Sequence, residues 1–451
     1  MGWNIASSSK GYALVCDKCK LYEVEFHPVG QGLFSSGKIF AEDGVFQFVY
    51  DCGSSSKAIF LKSEIEERFA KNESIDMVVL SHFDKDHVNG LIQLIERCKI
   101  KSLFVPALRP KLTLELAFKY PQITRDELSF YVDPVFFLEQ RGRTKLVEVE
   151  PSDVSRKPKE TTEYADGLSL LIEGDNPIYT DGTPVIIEQG HIRLPSGSRI
   201  FPSSKPTMEI TPYYDEEVKE QLGRDSVFVD EIHVAAQDLI RKEISKQDFD
   251  REFRRLRNKL HDKLEKTPEK RNLISMFLYM KPTTQKECFF APPLFDNAQA
   301  NSNYNKSAIL FSGDGYLNTP ERVDNLINYL RDERLKYLGC FQLMHHGSKT
   351  NWMPGLAQHI APIYSISTSS PSWYRHPHPE VIDDFKKSQC RNVCENKECR
   401  FKFTVYGNGQ VLSDYFDIVE KTTKLEKEMF YIDFGVEWSE MAKDLFDEVN
   451  N

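Results

Sequence analysis

Residues 75–90, Ile-Asp-Met-Val-Val-Leu-Ser-His-Phe-Asp-Lys-Asp-His-Val-Asn-Gly, restrict what this chain can fold into more than any other stretch. An apolar strand candidate, Met77-Val78-Val79-Leu80, runs directly into four metal-capable side chains, His82, Asp84, Asp86 and His87, within six positions. Asn89-Gly90 then turns the backbone into an apolar-periodic helix starting near Leu91. So short a loop keeps these groups together: His82 and Asp84 can face one cation while Asp86 and His87 face a second. Imidazole plus carboxylate suits zinc or manganese, and two cations about 3.5–4 Å apart can activate water and clamp a phosphoryl group. The stretch points to hydrolysis.

Three later segments repeat the theme of an apolar run that ends in chemistry. Ile309-Leu310-Phe311-Ser312-Gly313-Asp314-Gly315 places a carboxylate between two glycines at a strand end, where it could bridge two metals. Gly339-Cys340-Phe341-Gln342-Leu343-Met344 leads into His345-His346-Gly347-Ser348, again imidazoles followed by a glycine turn. Tyr364-Ser365-Ile366-Ser367 precedes Trp373-Tyr374-Arg375-His376-Pro377-His378-Pro379-Glu380, in which two prolines fix the backbone around two histidines. Those histidines suit substrate phosphate or proton transfer.

In this order the blocks resemble the metallo-β-lactamase superfamily, and within it the hydrolase domain of bacterial competence DNA-uptake proteins. Tyr22 to Gly32 is similar to that family's strand-then-VGQG signature, and Phe48-Val49-Tyr50-Asp51-Cys52-Gly53 to its D-C-G turn. The resemblance implies an α/β (α+β) fold, a four-layer αββα sandwich with a large mixed insertion and an active site along one sheet edge. It implies that His82 and Asp84 hold one metal and Asp86 and His87 the other, that Asp314 bridges, and that His345 or His346 completes the second set. The strand matching the family's third motif is Asn272–Tyr279, with Asn272 standing where a histidine is usual. Asp84 at the second position of the H-x-H-x-D-H pattern agrees with the competence-type branch and argues against a β-lactam substrate. With several oxygen donors, the two divalent ions are expected to be zinc or manganese, with magnesium a further option. Asp86, His378 and His376 are the expected catalytic residues, His378 ahead of His376 for protonating the leaving oxygen, and Arg375 and Ser348 are the expected substrate contacts.

A chain of 451 residues exceeds the roughly 250–300 that one core fills. The expected organisation is an N-terminal extension over 1–19, the first half of the hydrolase over 20–110, a partly helical insertion or lid over 111–270, the second half over 271–419 and a charged tail over 420–451. No apolar run approaches the roughly 18 residues that a membrane helix needs. Met1-Gly2-Trp3-Asn4-Ile5 lacks both a basic start and a long apolar stretch, so cytoplasmic residence without a membrane partner is expected. The nine cysteines are then expected to be mostly reduced thiols, although Cys16 and Cys19 with Cys390, Cys394 and Cys399 could together hold a structural zinc. A net charge of −10 disfavours a protein that clings to nucleic acid over its whole surface, yet it leaves room for a local basic cleft. The basic cluster within Asp248–Arg257 is interspersed with acids and reads as a solvated helix face.

The expected function is a metal-dependent hydrolase, a phosphodiesterase or nuclease using metal-bound hydroxide at a binuclear site on nucleic acid or a nucleotide, in nucleic-acid processing or antiviral defence. The same core could instead cleave a carbonyl ester or lactone. A third reading is a partner-binding subunit with a structural or sensory metal site, docking a protein through the insertion or the tail.

Overall fold

The computed structural model describes residues 3–407 except 9–10, 17–19, 43, 108–109, 121–122, 143, 152–167, 174, 183–184, 189–190, 215–226, 262–274, 284–287, 292–305, 370–374 and 396–399. Asn272, Cys19, Cys399 and the tail from 420 lie outside the described residues, as do the side chains of Cys16 and Cys394, and with them four of the five expected zinc-binding cysteines. Among the described cysteines, Cys52, Cys98, Cys340 and Cys390, the last of them one of the five expected zinc-binding cysteines, form no disulfide.

Two large sheets dominate. In spatial order, the first contains the strands 186–188, 191–195, 145–150, 99–106, 74–79, 44–52, 34–41, 20–26, 401–407 and 288–291. The second runs through 391–395, 364–368, 338–342, 308–311, 277–282, 208–213, 200–201, 178–180 and 169–172. Alternation along the strands explains the layering. On Ala308–Phe311, Ile309 and Phe311 join the core between the sheets, while Ala308 and Leu310 join a second cluster on the outer face. That outer cluster includes Val323, Leu326 and Leu330 of the helix Pro320–Leu335 and Val381 and Phe385 of Pro379–Lys387. Leu61 and Ile65 of the helix Ala58–Arg68, with Leu91 and Leu94 of Leu91–Arg97, cover the first sheet in the same way. The result is the expected αββα arrangement.

Aromatic rings and long hydrogen bonds fix the two sheets against each other. Phe311 stacks on Tyr50 with ring centroids 4.5 Å apart, and the Tyr50 hydroxyl donates to the Met276 carbonyl at 3.0 Å. The Tyr22 hydroxyl donates to the Ser307 carbonyl at 2.6 Å.

Residues 111–270 do not stand apart from this sandwich. Lys145–Glu150 pairs parallel with Lys99–Pro106 and extends the first sheet, while Met208–Tyr213 pairs antiparallel with Phe277–Pro282 inside the second. Their helices, Pro110–Lys119, Arg125–Val132, Pro134–Glu139, Val227–Arg241 and Lys246–His261, pack on one another beside the loop that carries His82 to His87. No helix among the described residues is long and apolar enough to cross a membrane.

One ion pair joining this region to the helix Pro320–Leu335 is buried on both sides: Arg334 Nη2 lies 2.8 Å from Glu209 Oε1, and both residues are buried. Glu209→Ala strands a buried guanidinium and is expected to lower the unfolding free energy by about 3–5 kcal/mol, measured by chemical denaturation. A loss below about 1 kcal/mol would mean that water reaches Arg334.

Candidate metal centre

Every chemistry-bearing loop sits at the carboxyl end of a strand running parallel to its neighbour. Ser74–Val79 pairs parallel with Gly44–Cys52 in a register that sets Tyr50 beside Val79, so Asp51, one residue on, and Ser81, two residues on, emerge at the same end. In the second sheet the parallel strands 308–311, 338–342 and 364–368 deliver Asp314, then His345 and His346, then Thr368. The Met276 N–H donates to the Ser81 carbonyl at 2.8 Å and joins the two ends.

Glycine is required where the loops touch. A Cβ on Gly53 would lie 2.4 Å from the His87 nitrogen, so only glycine lets the end of 44–52 lie against the short helix Lys85–Val88. Gly347, at φ +88°, is equally constrained, because a Cβ there would meet Pro377 at 2.5 Å. That contact seats the His376–His378 loop on the His345–Gly347 loop. His345, His346 and Asp51 also adopt positive φ of 45°, 58° and 54°, costly backbone for non-glycine residues that clusters at functional sites.

The imidazoles converge on one carboxylate. His87 Nε2 is 3.1 Å from Asp314 Oδ1, His82 Nε2 and His345 Nε2 are each 3.6 Å from Asp314 Oδ2, and His346 Nε2 is 3.4 Å from Asp86 Oδ2 and 3.8 Å from Asp314 Oδ1. Ligands bonded tetrahedrally at about 2.0–2.2 Å are spaced by about 3.3–3.6 Å from one another, so these separations suit donors around a cation. His82, His87 and Asp314 form one group with metal-binding spacing, and Asp86, His87 and His346 form another.

The hydrogen bonds behind the rings decide which nitrogen faces inward. Asp51 accepts from the Ser81 N–H at 2.7 Å, from the Ser81 hydroxyl at 2.6 Å and from His87 Nδ1 at 2.7 Å. Having spent its only proton on Asp51, Ser81 Oγ must accept from His82 Nδ1, 2.9 Å away. Asn351 donates to the carbonyls of Asp314 and Gly315, both at 3.0 Å, so its Oδ1 accepts from His345 Nδ1 at 3.1 Å. His346 Nδ1 meets Thr368 Oγ1 at 3.2 Å. With Nδ1 engaged behind, His82, His87 and His345 turn Nε2 toward Asp314, and outer partners of this kind orient metal-ligating histidines and raise their basicity.

The residues present fit divalent metal. Buried His82 Nε2, His87 Nε2, His346 Nε2 and Asp314 Oδ1 have no hydrogen-bond partner among the described residues, a costly state unless a cation is their partner. The electrostatics agree. Burial alone would push the His87 pKa down, but the Asp314 and Asp51 carboxylates on either side raise it well above the usual range, and the field that draws a proton there also draws a cation. Asp314 and Asp86 resist burial and stay below the ordinary carboxyl range, Asp314 through His345, His87 and His346, and Asp86 through His346 beside it and the charge of His87.

Two features of the expected ligand assignment change. His87 groups with His82 as closely as with Asp86, because its Nδ1 is turned back to Asp51 and leaves Nε2 alone to face the centre. Asp84 is in neither group: its Oδ2 lies 3.3 Å from Lys119 Nζ, at the end of the helix Pro110–Lys119, while its Oδ1 is buried with no partner among the described residues. Of the two adjacent histidines, His346 is 1% exposed and His345 34%, which places His345 on the open side of Asp314.

The late loop is placed beside these groups. The His376 ring is 5.7 Å from that of His345, 6.5 Å from that of His346 and 4.8 Å from that of His378. Burial, followed by the charges of His346, His345 and His378, pushes the His376 pKa down to about 3, so this ring is neutral near pH 7. The Lys349 N–H donates to His378 Nδ1 at 3.3 Å, which leaves the proton of a neutral His378 on Nε2. Arg375 is exposed on the same loop. Ser348 is buried and its hydroxyl is shared with Thr350 Oγ1 at 2.8 Å, bracing the loop from within.

Asp51, Ser81, Asn351 and Thr368, which hold the rings, were not singled out as site residues by sequence reasoning. For Asp51 the D-C-G block was a usable signal, since an acid at a strand end before glycine invites a partner. The other three carry no local signature.

No curated protein matches the chain in sequence. Among solved structures, it is similar to a long form RNase Z from yeast at 11% identity, with 90% of this chain and 44% of that one covered and a TM-score of 0.31. The chain thus spans less than half of that protein's length. It is also similar to the metallo-β-lactamase MIM-1 from Novosphingobium pentaromativorans, at 10% identity, 90% coverage of both chains and a TM-score of 0.24. Residues 39–185 match the family model of the metallo-beta-lactamase superfamily. That stretch and the two-sheet αββα architecture around it are together consistent with the metallo-beta-lactamase fold.

Proposed function

We propose that this protein is a binuclear metal-dependent phosphodiesterase acting on nucleic acid or a nucleotide. The observation that carries the reading is the convergence of unpartnered imidazole nitrogens on Asp314, with their proton-bearing nitrogens engaged behind them. Divalent ions held there would supply Lewis acidity and an activated water. The chain's own groups do the rest. Asp86, His82, His87, His346 and Asp314 hold the centre, with His345 on its open side. Arg375 offers a guanidinium for a non-bridging phosphate oxygen, a pairing that suits phosphate better than an ester carbonyl. His378, with its Nε2 proton, would donate to the leaving oxygen, while His376 packs between His378 and the metal-facing rings. The likeness of these loops to the hydrolase domain of competence proteins supports a DNA-type substrate in the same direction.

The test is hydrolysis of bis(p-nitrophenyl) phosphate, labelled single- and double-stranded DNA, RNA and a lactone with manganese, magnesium or zinc, compared with EDTA and with a His82→Ala, Asp86→Ala double variant. Metal-dependent phosphodiester cleavage that disappears in the variant is expected. His378→Ala should cost about 10²–10⁴ in kcat on a nucleotide diester and much less on bis(p-nitrophenyl) phosphate, whose leaving group departs without a proton. Lactone cleavage with silence on every phosphodiester would replace this reading by carbonyl-ester hydrolysis.

A further inference from the structure

A strip of cations leads away from the metal-capable loop, and it is built by the helices of residues 110–261. It begins at Asp84, whose carboxylate meets Lys119 Nζ at 3.3 Å. Next to it the Tyr120 ring has two ammonium groups near it, Lys85 Nζ at 5.6 Å and Lys119 Nζ at 5.7 Å from its centroid, and the Lys85 N–H donates to the Tyr120 hydroxyl at 3.2 Å. Tyr120 also lines a shallow cleft with Lys85, Asn89, Ile92, Glu127 and Tyr131. Glu127, the acid of that lining, is turned to the N–H and hydroxyl of Thr124 in a helix cap. One residue before Lys119, the Phe118 carbonyl accepts from Arg257 Nε at 2.9 Å, and the Phe118 ring stacks on Phe253 at 5.0 Å. Both partners belong to the helix Lys246–His261, whose sequence holds six lysines and arginines against three acids.

The acids on that helix do not cancel the strip. Arg251 pairs with Asp248, and Arg255 with Glu252. Arg254 and Arg257, one turn apart and so adjacent on the surface, have no carboxylate partner among the described residues, and Arg254 Nε donates only to its own helix at the Asp250 carbonyl. A chain of net charge −10 thus concentrates cations and an aromatic ring along one path that starts at its candidate catalytic loop. A positive track with an interposed aromatic ring is how proteins hold a single nucleic-acid strand without reading its sequence.

Resting on the phosphodiesterase reading, we propose that Lys85, Lys119, Tyr120, Arg254 and Arg257 form a binding track for a single-stranded polynucleotide, whose backbone runs from the metal centre over the helix Lys246–His261. The substrate is then a polymer strand rather than a mononucleotide or dinucleotide.

The experiment is equilibrium binding of a fluorescent 20-nucleotide single strand and of its duplex to the full chain in EDTA, over a salt series, which separates binding from cleavage. The double variants Lys85→Ala with Lys119→Ala, and Arg254→Ala with Arg257→Ala, should each weaken single-strand binding about tenfold and flatten the slope of log K against log salt by about 1.4, since each phosphate contact contributes about 0.7. Arg254→Lys with Arg257→Lys keeps the charges and should keep the slope, which guards against a folding defect in the alanine pair. Tyr120→Ala should cost about fivefold or more and Tyr120→Phe little. Unchanged slopes in both alanine doubles, or a duplex bound as well as the single strand with Tyr120→Ala silent, would overturn the track. If wild type hydrolyses bis(p-nitrophenyl) phosphate while those slopes stay unchanged, the track fails and the phosphodiesterase stands. If the slopes change as expected while no phosphodiester is cleaved, the track stands and the phosphodiesterase fails.

Discussion

Asp314→Ala is expected to abolish tight binding of divalent metal and to reduce hydrolysis by about 10³-fold or more, the equivalent of several kcal/mol of transition-state stabilisation. Among the described residues no other side chain has so many imidazole nitrogens aimed at it: Oδ1 lies 3.1 and 3.8 Å from Nε2 of His87 and His346, and Oδ2 3.6 Å from Nε2 of His82 and of His345. Without it, Asp86 is the carboxylate left in the two groups, and it meets His346 rather than His82 or His345. Metal content of the purified variant measured by mass spectrometry, alongside turnover of a phosphodiester, checks the expectation. Asp314→Asn should fail in the same way, because the amide keeps the shape and loses the charge. A variant that retains two equivalents of metal would show that Asp314 is a neighbour of the centre and not a ligand.

Asp51→Asn should weaken metal binding by about 10–100-fold although Asp51 faces no metal-capable group but His87. Its two oxygens accept three hydrogen bonds, and an amide has one oxygen to offer. Turned one way, the NH₂ opposes the Ser81 N–H and leaves that buried donor without its acceptor, at about 1–3 kcal/mol. Turned the other way, it opposes His87 Nδ1–H, and the ring can keep a bond only by moving its proton to Nε2, which removes the lone pair from the centre. The backbone is not the cause in either case, since asparagine tolerates the φ of +54° at this position as well as aspartate does. Titration against a chelating indicator gives the affinity, and thermal unfolding of the metal-free variant separates a loss of fold from a loss of ligand orientation. Wild-type affinity in a stable variant would mean that His87 finds its orientation without Asp51.

The features legible in the sequence were those encoded within a few residues. Met77 to Leu80 could be read as a strand, and the loop after it as a donor cluster, because strand, turn and ligands are contiguous; the same holds for Ile309 to Asp314 and for Gly339 to His346. The division of those donors into groups was not legible. Which nitrogen of His87 faces inward depends on Asp51, and Asp51 reaches His87 only because two parallel strands, whose paired residues stand 29 positions apart, adopt the register that sets Tyr50 beside Val79. Asp84 looked like a ligand because it sits between two others in sequence. Its Oδ2 is met by Lys119, a residue 35 positions away whose approach depends on how the helix Pro110–Lys119 packs, while its Oδ1 is buried without a partner among the described residues. The role of 111–270 was hidden for a related reason: strands as short as Lys145–Glu150 and Met208–Tyr213 declare themselves by the neighbours they pair with more than by their own pattern.

The donors are also divided in time. As the chain leaves the ribosome, His82, Asp86 and His87 emerge on one compact loop, while Asp314 and His346 follow more than two hundred residues later from the opposite sheet. A nascent chain therefore displays half of its donor set long before the other half exists, and no order of early folding can assemble the centre ahead of the second sheet. The centre therefore cannot hold its ions as a complete set until the second sheet has been made.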